Sequence, residues 1–413
     1  MRIAIVGSGI SGLTAAYLLH EDHQITVYEQ NDYIGGHANT VDVEVQGSPY
    51  PVDTGFIVFN QKTYPNFVKL LGRIGVGWKD SDMSFSVRCD RTGLEYSPSS
   101  VGSLFAQRRN IVRPLFWRML WDIFRFKRNY DAILSGPADI TLTDFLDKEG
   151  YSRHFRDYFI IPMGAAIWSA DPDLFGQIPA QFFVRFFHNH GFLNVQDQPQ
   201  WLTIQKCSRQ YVEALTKGYM SQIRLNQKVA AITRMDDGVL IRTADGDEES
   251  HDQVVISTHS DQALALLTDP SDAECGILRA VPYKENNAVL HTDTNLLPAI
   301  TKTWASWNYR IPDEPRPSVI LTYNMNMLQS IEAPETFCVT LNSEQEIDPG
   351  KVLYTAEYAH PVFNTESVEA QRKHGEISGV NRTHYCGAYW GNGFHEDGVN
   401  SALAVCKYFG KRL

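Results

Sequence analysis

The sequence is short of paired cysteines. Its six, Cys89, Cys207, Cys275, Cys338, Cys386 and Cys406, are scattered without a CxxC pair, which excludes the patterned spacing of a disulfide framework or a zinc site. Free thiols in a reducing cytoplasm are the expectation. Positive charge is also in deficit: 37 Lys and Arg stand against 48 Asp and Glu, a formal net charge of −11. Nucleic acid as a general partner would need the opposite balance, so none is expected. No run approaches the roughly 18–20 apolar residues that span a bilayer, and the chain enters an apolar strand at Arg2, so no leader is expected. Internal repeats and low-complexity linkers are missing too. At 413 residues two domains are expected, and without a linker they should be interleaved. Metal and nucleophile chemistry find little support. His188-Asn189-His190 lacks a third ligand at suggestive spacing, so no metal is expected, and Cys207-Ser208 has no partner His in context.

What the sequence does have is concentrated towards its two ends. Residues 2–6 read as a strand, 11–19 carry a helical pattern and 24–29 read as a second strand. Between the first strand and the helix lies Gly7-Ser8-Gly9-Ile10-Ser11-Gly12. In a GxGxxG turn the first glycine permits the tight bend and the second lets the backbone approach a pyrophosphate. The third allows close packing of helix on strand, and the free N–H groups of the helix start favour a diphosphate. Glu29 ends the second strand 22 residues after Gly7, where an acid accepts hydrogen bonds from ribose hydroxyls, and Gln30 follows it. A lone glycine motif is weak evidence, but the flanking elements and the acid make it specific for a dinucleotide.

Further motifs separate the possible dinucleotides. Ile34-Gly35-Gly36-His37-Ala38-Asn39-Thr40 resembles the second glycine pair of the flavin amine oxidase superfamily, which includes protoporphyrinogen oxidase and phytoene desaturase. Val52-Asp53-Thr54-Gly55-Phe56 resembles the loop these enzymes lay against the isoalloxazine ring. Tyr385-Cys386-Gly387-Ala388 and Gly393-Phe394-His395-Glu396-Asp397-Gly398 resemble their closing flavin motif, and Arg224–Ile232, with Val229, and Gln253–Thr258 are similar to their adenine-side strands. The sequence departs from the superfamily at His37, where many members carry Arg, at Ala388, where many have Glu or Thr, and at Lys206-Cys207, where a Gly-Gly pair is common. Gly391–Gly398, Trp304–Tyr309 and Gln198-Pro199-Gln200-Trp201 narrow the likeness to a bacterial subfamily often encoded beside cyclopropane-fatty-acid-synthase-like methyltransferases.

The resemblance implies non-covalent FAD and hydride transfer between a substrate and flavin N5. It also implies an apolar lipid or fatty acyl substrate, with an amine oxidase as one alternative and an accessory partner of a lipid methyltransferase as another. A final helix expected over 399–409 would aim free N–H groups of Gly398 and Val399 at the ring, where reduction places negative charge. By motif, His395 and Glu396 are the candidate acid–base groups. Lys284 is a possible counterpart of the lysine that holds a water in amine oxidases, and Phe394 with Trp390 of their aromatic pair.

The fold expected is α/β. A Rossmann-like FAD domain would come from residues 1–75, 200–265 and 380–413. A substrate domain of antiparallel sheet plus helices would come from 76–199 and 266–379, with a helical, basic and aromatic insertion at about 104–193. Within that insertion, residues 108–128 hold seven Lys and Arg against one acid, Asp122, interleaved with Trp117, Trp121 and other large apolar residues. Such a helix either lies on an anionic headgroup layer or packs on the domain with its arginines paired. The cytoplasmic chain would in the first case sit peripherally on the inner face of the membrane. Phe182, Phe183, Phe186, Phe187 and Phe192 form a second cluster, read as core or as the lining of an apolar channel. The oligomeric state is not readable.

Overall fold

The computed structural model describes residues 1–137, 140–191 and 199–413. Its organising element is a five-stranded parallel sheet built from β1 (Arg2–Val6), β2 (Gln24–Tyr28), β3 (Ile223–Arg224), β4 (Gln253–Ile256) and β5 (Thr383–Tyr385), in the order β3-β2-β1-β4-β5. After the exposed Arg2, β1 carries four apolar residues in a row, all buried, because a parallel sheet is covered on both faces and rewards continuous runs over alternation.

The helices that position the site are α1 (Ile10–Leu19), α2 (Pro65–Ile74), α3 (Pro114–Leu134), α4 (Ala180–Asn189) and α5 (His395–Tyr408). α1 is buried almost all round, wedged between the sheet and α5, and shares a core with Ile3, Ile5, Val399 and Val405. On the opposite face, Ala4, Val254 and Ile256 meet Ile232 and Ile241 of a three-stranded antiparallel layer. The first and last segments of the chain therefore meet in one core.

The second body is a mixed seven-stranded sheet that runs, edge to edge, through residues 352–361, 283–291, 338–341, 320–324, 307–311, 85–89 and 94–96. Helical pieces between 101 and 189 share its apolar core, which includes Phe116, Met119, Phe126, Phe155, Phe183 and Phe187. The final helix begins at His395, four residues before the sequence-based expectation, and this shift changes the reading of Gly398 and Val399. None of the helices among the described residues is long and apolar enough to cross a membrane.

Candidate functional site

A cavity of about 700 Å³ runs from the turn between β1 and α1 to an aromatic end beside α4 and the start of α5. At the turn, Gly7 has φ +102°, a backbone state open to glycine at little cost. A Cβ on Gly12 would lie 2.1 Å from the Gly7 carbonyl oxygen, so this glycine is what lets α1 close on the turn. Gly9 is different. Nothing lies within 4 Å of a Cβ built there, because its Cα faces the cavity. Gly9 is also the N-cap of α1, and no side chain caps the helix. The first-turn N–H groups and the positive end of the helix dipole are thus left for an anion.

Glu29 closes this end. Its Oε2 accepts from Ser8 N–H (3.0 Å) and Ser8 Oγ–H (2.6 Å), while Oε1 accepts from Asn31 N–H (2.9 Å). Gly35 N–H donates to the Ser8 carbonyl, and the Gly35-Gly36 pair lies against Gly9. His37 follows, within 6.1 Å of His259, 5.4 Å of His360 and 5.0 Å of Tyr358, ring centre to ring centre. Burial brings the pKa of His37 and His259 down to about 4 and that of His360 to about 3, so all three are neutral near pH 7. The arginine charge usual at position 37 is thus replaced by neutral donors and acceptors, and His37 Nε2 is buried without a hydrogen-bond partner.

Farther along, His395 stacks face to face on Phe56, with ring centres 3.5 Å apart, and its Nε2 meets Tyr211 Oη at 2.9 Å. Burial holds its pKa well below the ordinary value. Phe394 packs on Phe186 (5.1 Å), Phe186 on Trp168 (4.6 Å) and on His190 (3.9 Å). These rings wall the aromatic end.

Of the residues singled out from sequence, Gly7, Ser8, Gly9, Ile10, Ser11, Glu29, Gln30, Gly35, Gly36, His37, Thr54, Gly55, Phe56, Val229, Gly387, Phe394 and His395 line this one cavity. Gly12, which packs the turn, and Glu396, Asp397, Gly398, Val399 and Lys284 do not. The Gly398 N–H is consumed by the Phe394 carbonyl, since the helix starts earlier than expected. Its Cα instead packs on Ile10 and Ser11, where a Cβ would come within 2.7 and 2.9 Å. Val399 is fully buried core. Glu396, offered as an acid–base group, accepts from Asn66 N–H (3.1 Å) and Phe67 N–H (2.9 Å), capping α2 from outside. Asp397 accepts from Phe394 N–H at 3.0 Å and so caps α5, and burial lifts its pKa to about 7. On the strand carrying Lys284, the cross-strand partner His360 reaches the cavity and the lysine does not. Trp390 packs on His374 (4.4 Å), away from the lining that Phe394 joins.

The phenylalanine cluster divides: Phe186 faces the cavity, Phe183 and Phe187 are core, and Phe192 lies outside the described residues, as does Gln198. His188 and His190 sit at the end of a helix, where residues two apart diverge. His188 packs on Tyr130 and His190 Nδ1 on the Phe186 carbonyl. His259, Tyr358 and His360 escaped the sequence reading. His259 follows the carboxyl end of β4, where α/β sheets place ligands, and that position was a usable signal. The other two sit on an antiparallel strand with no local motif.

The uncapped helix start, the open face of Gly9 and the glycine pair laid against it fit a diphosphate-bridged dinucleotide. Strand order and site together define a dinucleotide-binding α/β fold. The chain belongs to the family of flavin-containing amine oxidoreductases, FAD-dependent proteins, whose family model matches residues 10–408. The cofactor is therefore FAD, held without a covalent bond as is usual in the family. The flavin-dependent L-tryptophan oxidase RebO of Lentzea aerocolonigenes is 25% identical over 269 residues, 59% of this chain and 54% of its own length. The chain thus spans about half of that curated relative. The fold is shared with a fatty acid isomerase producing CLA from P. acnes (TM-score 0.69, 17% identity, 99% of this chain and 98% of that one). It is shared equally with the cyclohexylamine oxidase of Brevibacterium oxydans IH-35A (TM-score 0.70, 15% identity, 99% of each chain).

Proposed function

We infer that the chain is an FAD-dependent oxidoreductase acting on an apolar substrate, of which a fatty acyl chain is the best fit. The observation that carries this reading is the aromatic end of the cavity, walled by Trp168, Phe186, Trp201, Trp307 and Phe394. An amine bound as its cation needs a carboxylate or an equivalent partner when desolvated. Among the described residues the lining carboxylates are two. Glu29 is committed to Ser8 and Asn31 at the far end, and Glu357 is exposed on its strand. A hydrocarbon chain asks for neither.

A bound flavin supplies two-electron redox chemistry. The protein's share is to hold that ring and to exclude water with the Phe186–Phe394 wall. It also keeps a neutral imidazole, His395, fixed by Phe56 and Tyr211. Similarity in fold to a fatty acid isomerase agrees with this reading, and similarity in fold to cyclohexylamine oxidase and in sequence to RebO with the competing one. Anaerobic incubation decides between them. The flavin's visible absorbance should bleach with unsaturated or methylated lipids and stay unchanged with amines. Bleaching by amines alone would contradict the proposal. Inertness to both would favour an accessory flavoprotein that partners a lipid methyltransferase.

A further inference from the structure

Helix α3 buries one side and leaves another bare. Phe116, Met119, Asp122 and Phe126 face the core. On the outer side Trp117, Trp121 and Phe124 recur at i, i+4 and i+7 and are 50%, 64% and 56% exposed, so they form one stripe. The preceding turn of 3₁₀ helix (Arg108–Val112) extends it with Ile111 and Val112, 51% and 79% exposed. The Trp117 indole N–H donates to the Ile111 carbonyl at 2.8 Å, which fixes the two pieces side by side. An uncovered face of this size with two indoles is uncommon on a protein surface facing only water.

The charges around it are mainly basic, with Asp131, three residues beyond Arg128, as an exposed acid on the same side. Arg108, Arg109 and Arg128 are exposed along the stripe. Asp122, the other acid of the helix, is fully buried, with Arg118 at 3.2 Å and Arg125 at 3.9 Å. Those two arginines also donate to the Glu149 and Gly150 carbonyls, and Arg125 lies over the Tyr151 ring. They brace the helix. Arg108 and Arg128 are presented outward, as is Arg109, which also donates to the Gly93 carbonyl. The patch is basic on a chain whose net charge is −11, and acids farther away than a Debye length of about 8 Å in physiological salt are largely screened from it.

We propose that this face is a docking surface for an anionic lipid bilayer, with Trp117, Trp121 and Phe124 seated at headgroup depth and Arg108, Arg109 and Arg128 on lipid phosphates. Indoles favour that depth because one edge is apolar and the other donates a hydrogen bond. A second copy of the chain would bring the same arginines together and repel. α3 packs directly on α4, whose Phe186 is part of the cavity wall, so the docked helix lies one layer above the aromatic end. Docking stands on the exposed face alone and does not require the substrate reading.

The test is flotation of the FAD-loaded protein with phosphatidylcholine vesicles, with and without phosphatidylglycerol. Binding should require phosphatidylglycerol and weaken as salt rises. It should fall at least tenfold in a W117S/W121S/F124S variant and in an R108Q/R109Q/R128Q variant that both keep their flavin absorbance. Trp emission should shift to the blue on binding. The protein remaining unbound with both vesicle types at low salt would overturn the proposal. So would binding that survives both triple substitutions, or a wild-type dimer that the aromatic variant converts to monomer.

Discussion

Glu29 accepts both the backbone N–H and the hydroxyl of Ser8, at 3.0 and 2.6 Å, and so ties the end of β2 to the middle of the glycine turn. The acid that the motif assigns to a ribose thus also holds the turn that the motif assigns to a diphosphate. Glu29→Ala removes both contributions and leaves the buried Ser8 N–H without its acceptor. FAD affinity should weaken by about 1–3 kcal/mol, read as the dissociation constant from flavin fluorescence. Glu29→Gln, which keeps an acceptor for Ser8, should lose less. An unchanged constant in Glu29→Ala would show that the acid is only a strand-end residue.

Two glycines of the same turn should fail in different ways. Gly9→Val projects into the cavity and meets no protein atom within 4 Å of its Cβ, so the chain should fold and purify without flavin. Gly12→Val drives its Cβ to 2.1 Å from the Gly7 carbonyl oxygen, and overpacking of that kind costs about 1–3 kcal/mol or more. Its loss should appear in the melting temperature of the flavin-free protein. Equal melting temperatures for the two apoproteins would contradict the assignment of approach to Gly9 and packing to Gly12.

Lys206 occupies left-handed backbone, φ +77°, at the position where the superfamily commonly has a glycine. A non-glycine residue there costs roughly 1–2 kcal/mol, partly offset because glycine loses more entropy on folding. Lys206→Gly should therefore change stability by no more than about 1 kcal/mol, in the stabilising direction. Lys206→Val, whose branched Cβ fits that conformation poorly, should destabilise by about 1–2 kcal/mol. Denaturant midpoints would check both, and a stabilising valine would contradict the backbone geometry.

Acid should unfold the chain early. Burial holds His37, His190, His259, His291 and His384 at about 4 and His360 at about 3, against 6.5 for a free imidazole. Each takes a proton more readily in the unfolded chain, so its contribution is complete above pH 6.5 and drains away as pH falls towards 4. Asp53, raised to about 6, and Asp397, raised to about 7, act in the opposite sense: their burial favours the fold at low pH and this is lost as pH rises through those values. Six imidazoles against two carboxyls leave a net loss of stability on acidification. Urea unfolding between pH 7 and 4.5 should show the midpoint falling, and a flat or rising midpoint would contradict it.

The parallel sheet and its glycine turn were legible because their signals are local: a continuous apolar run, three glycines at fixed spacing and an acid at the next strand end. Residues 2–6 form a strand with the bounds the sequence suggested. Strands at 40–53, 58–60, 78–80, 85–96 and 201–204 were not read. They are short, one is interrupted by Pro49 and Pro51, and their partners can lie far off in sequence, as when 201–204 pairs with 58–60. The start of α5 was placed too late because Glu396 and Asp397 read as loop. In fact both are acids of a first helical turn, one capping α5 and the other reaching across to cap α2. That single displacement turned Gly398 from a supposed ring contact into the packing point for Ile10 and Ser11.

The central claim is that this chain holds FAD without a covalent bond in the cavity that begins at Gly9. The most direct measurement is acid precipitation of the purified protein followed by chromatography of the supernatant. One FAD should be released per chain, leaving a colourless pellet, and the Gly9→Val protein should release none. A yellow pellet, release of FMN, or a wild-type protein that neither carries nor takes up flavin would contradict the account.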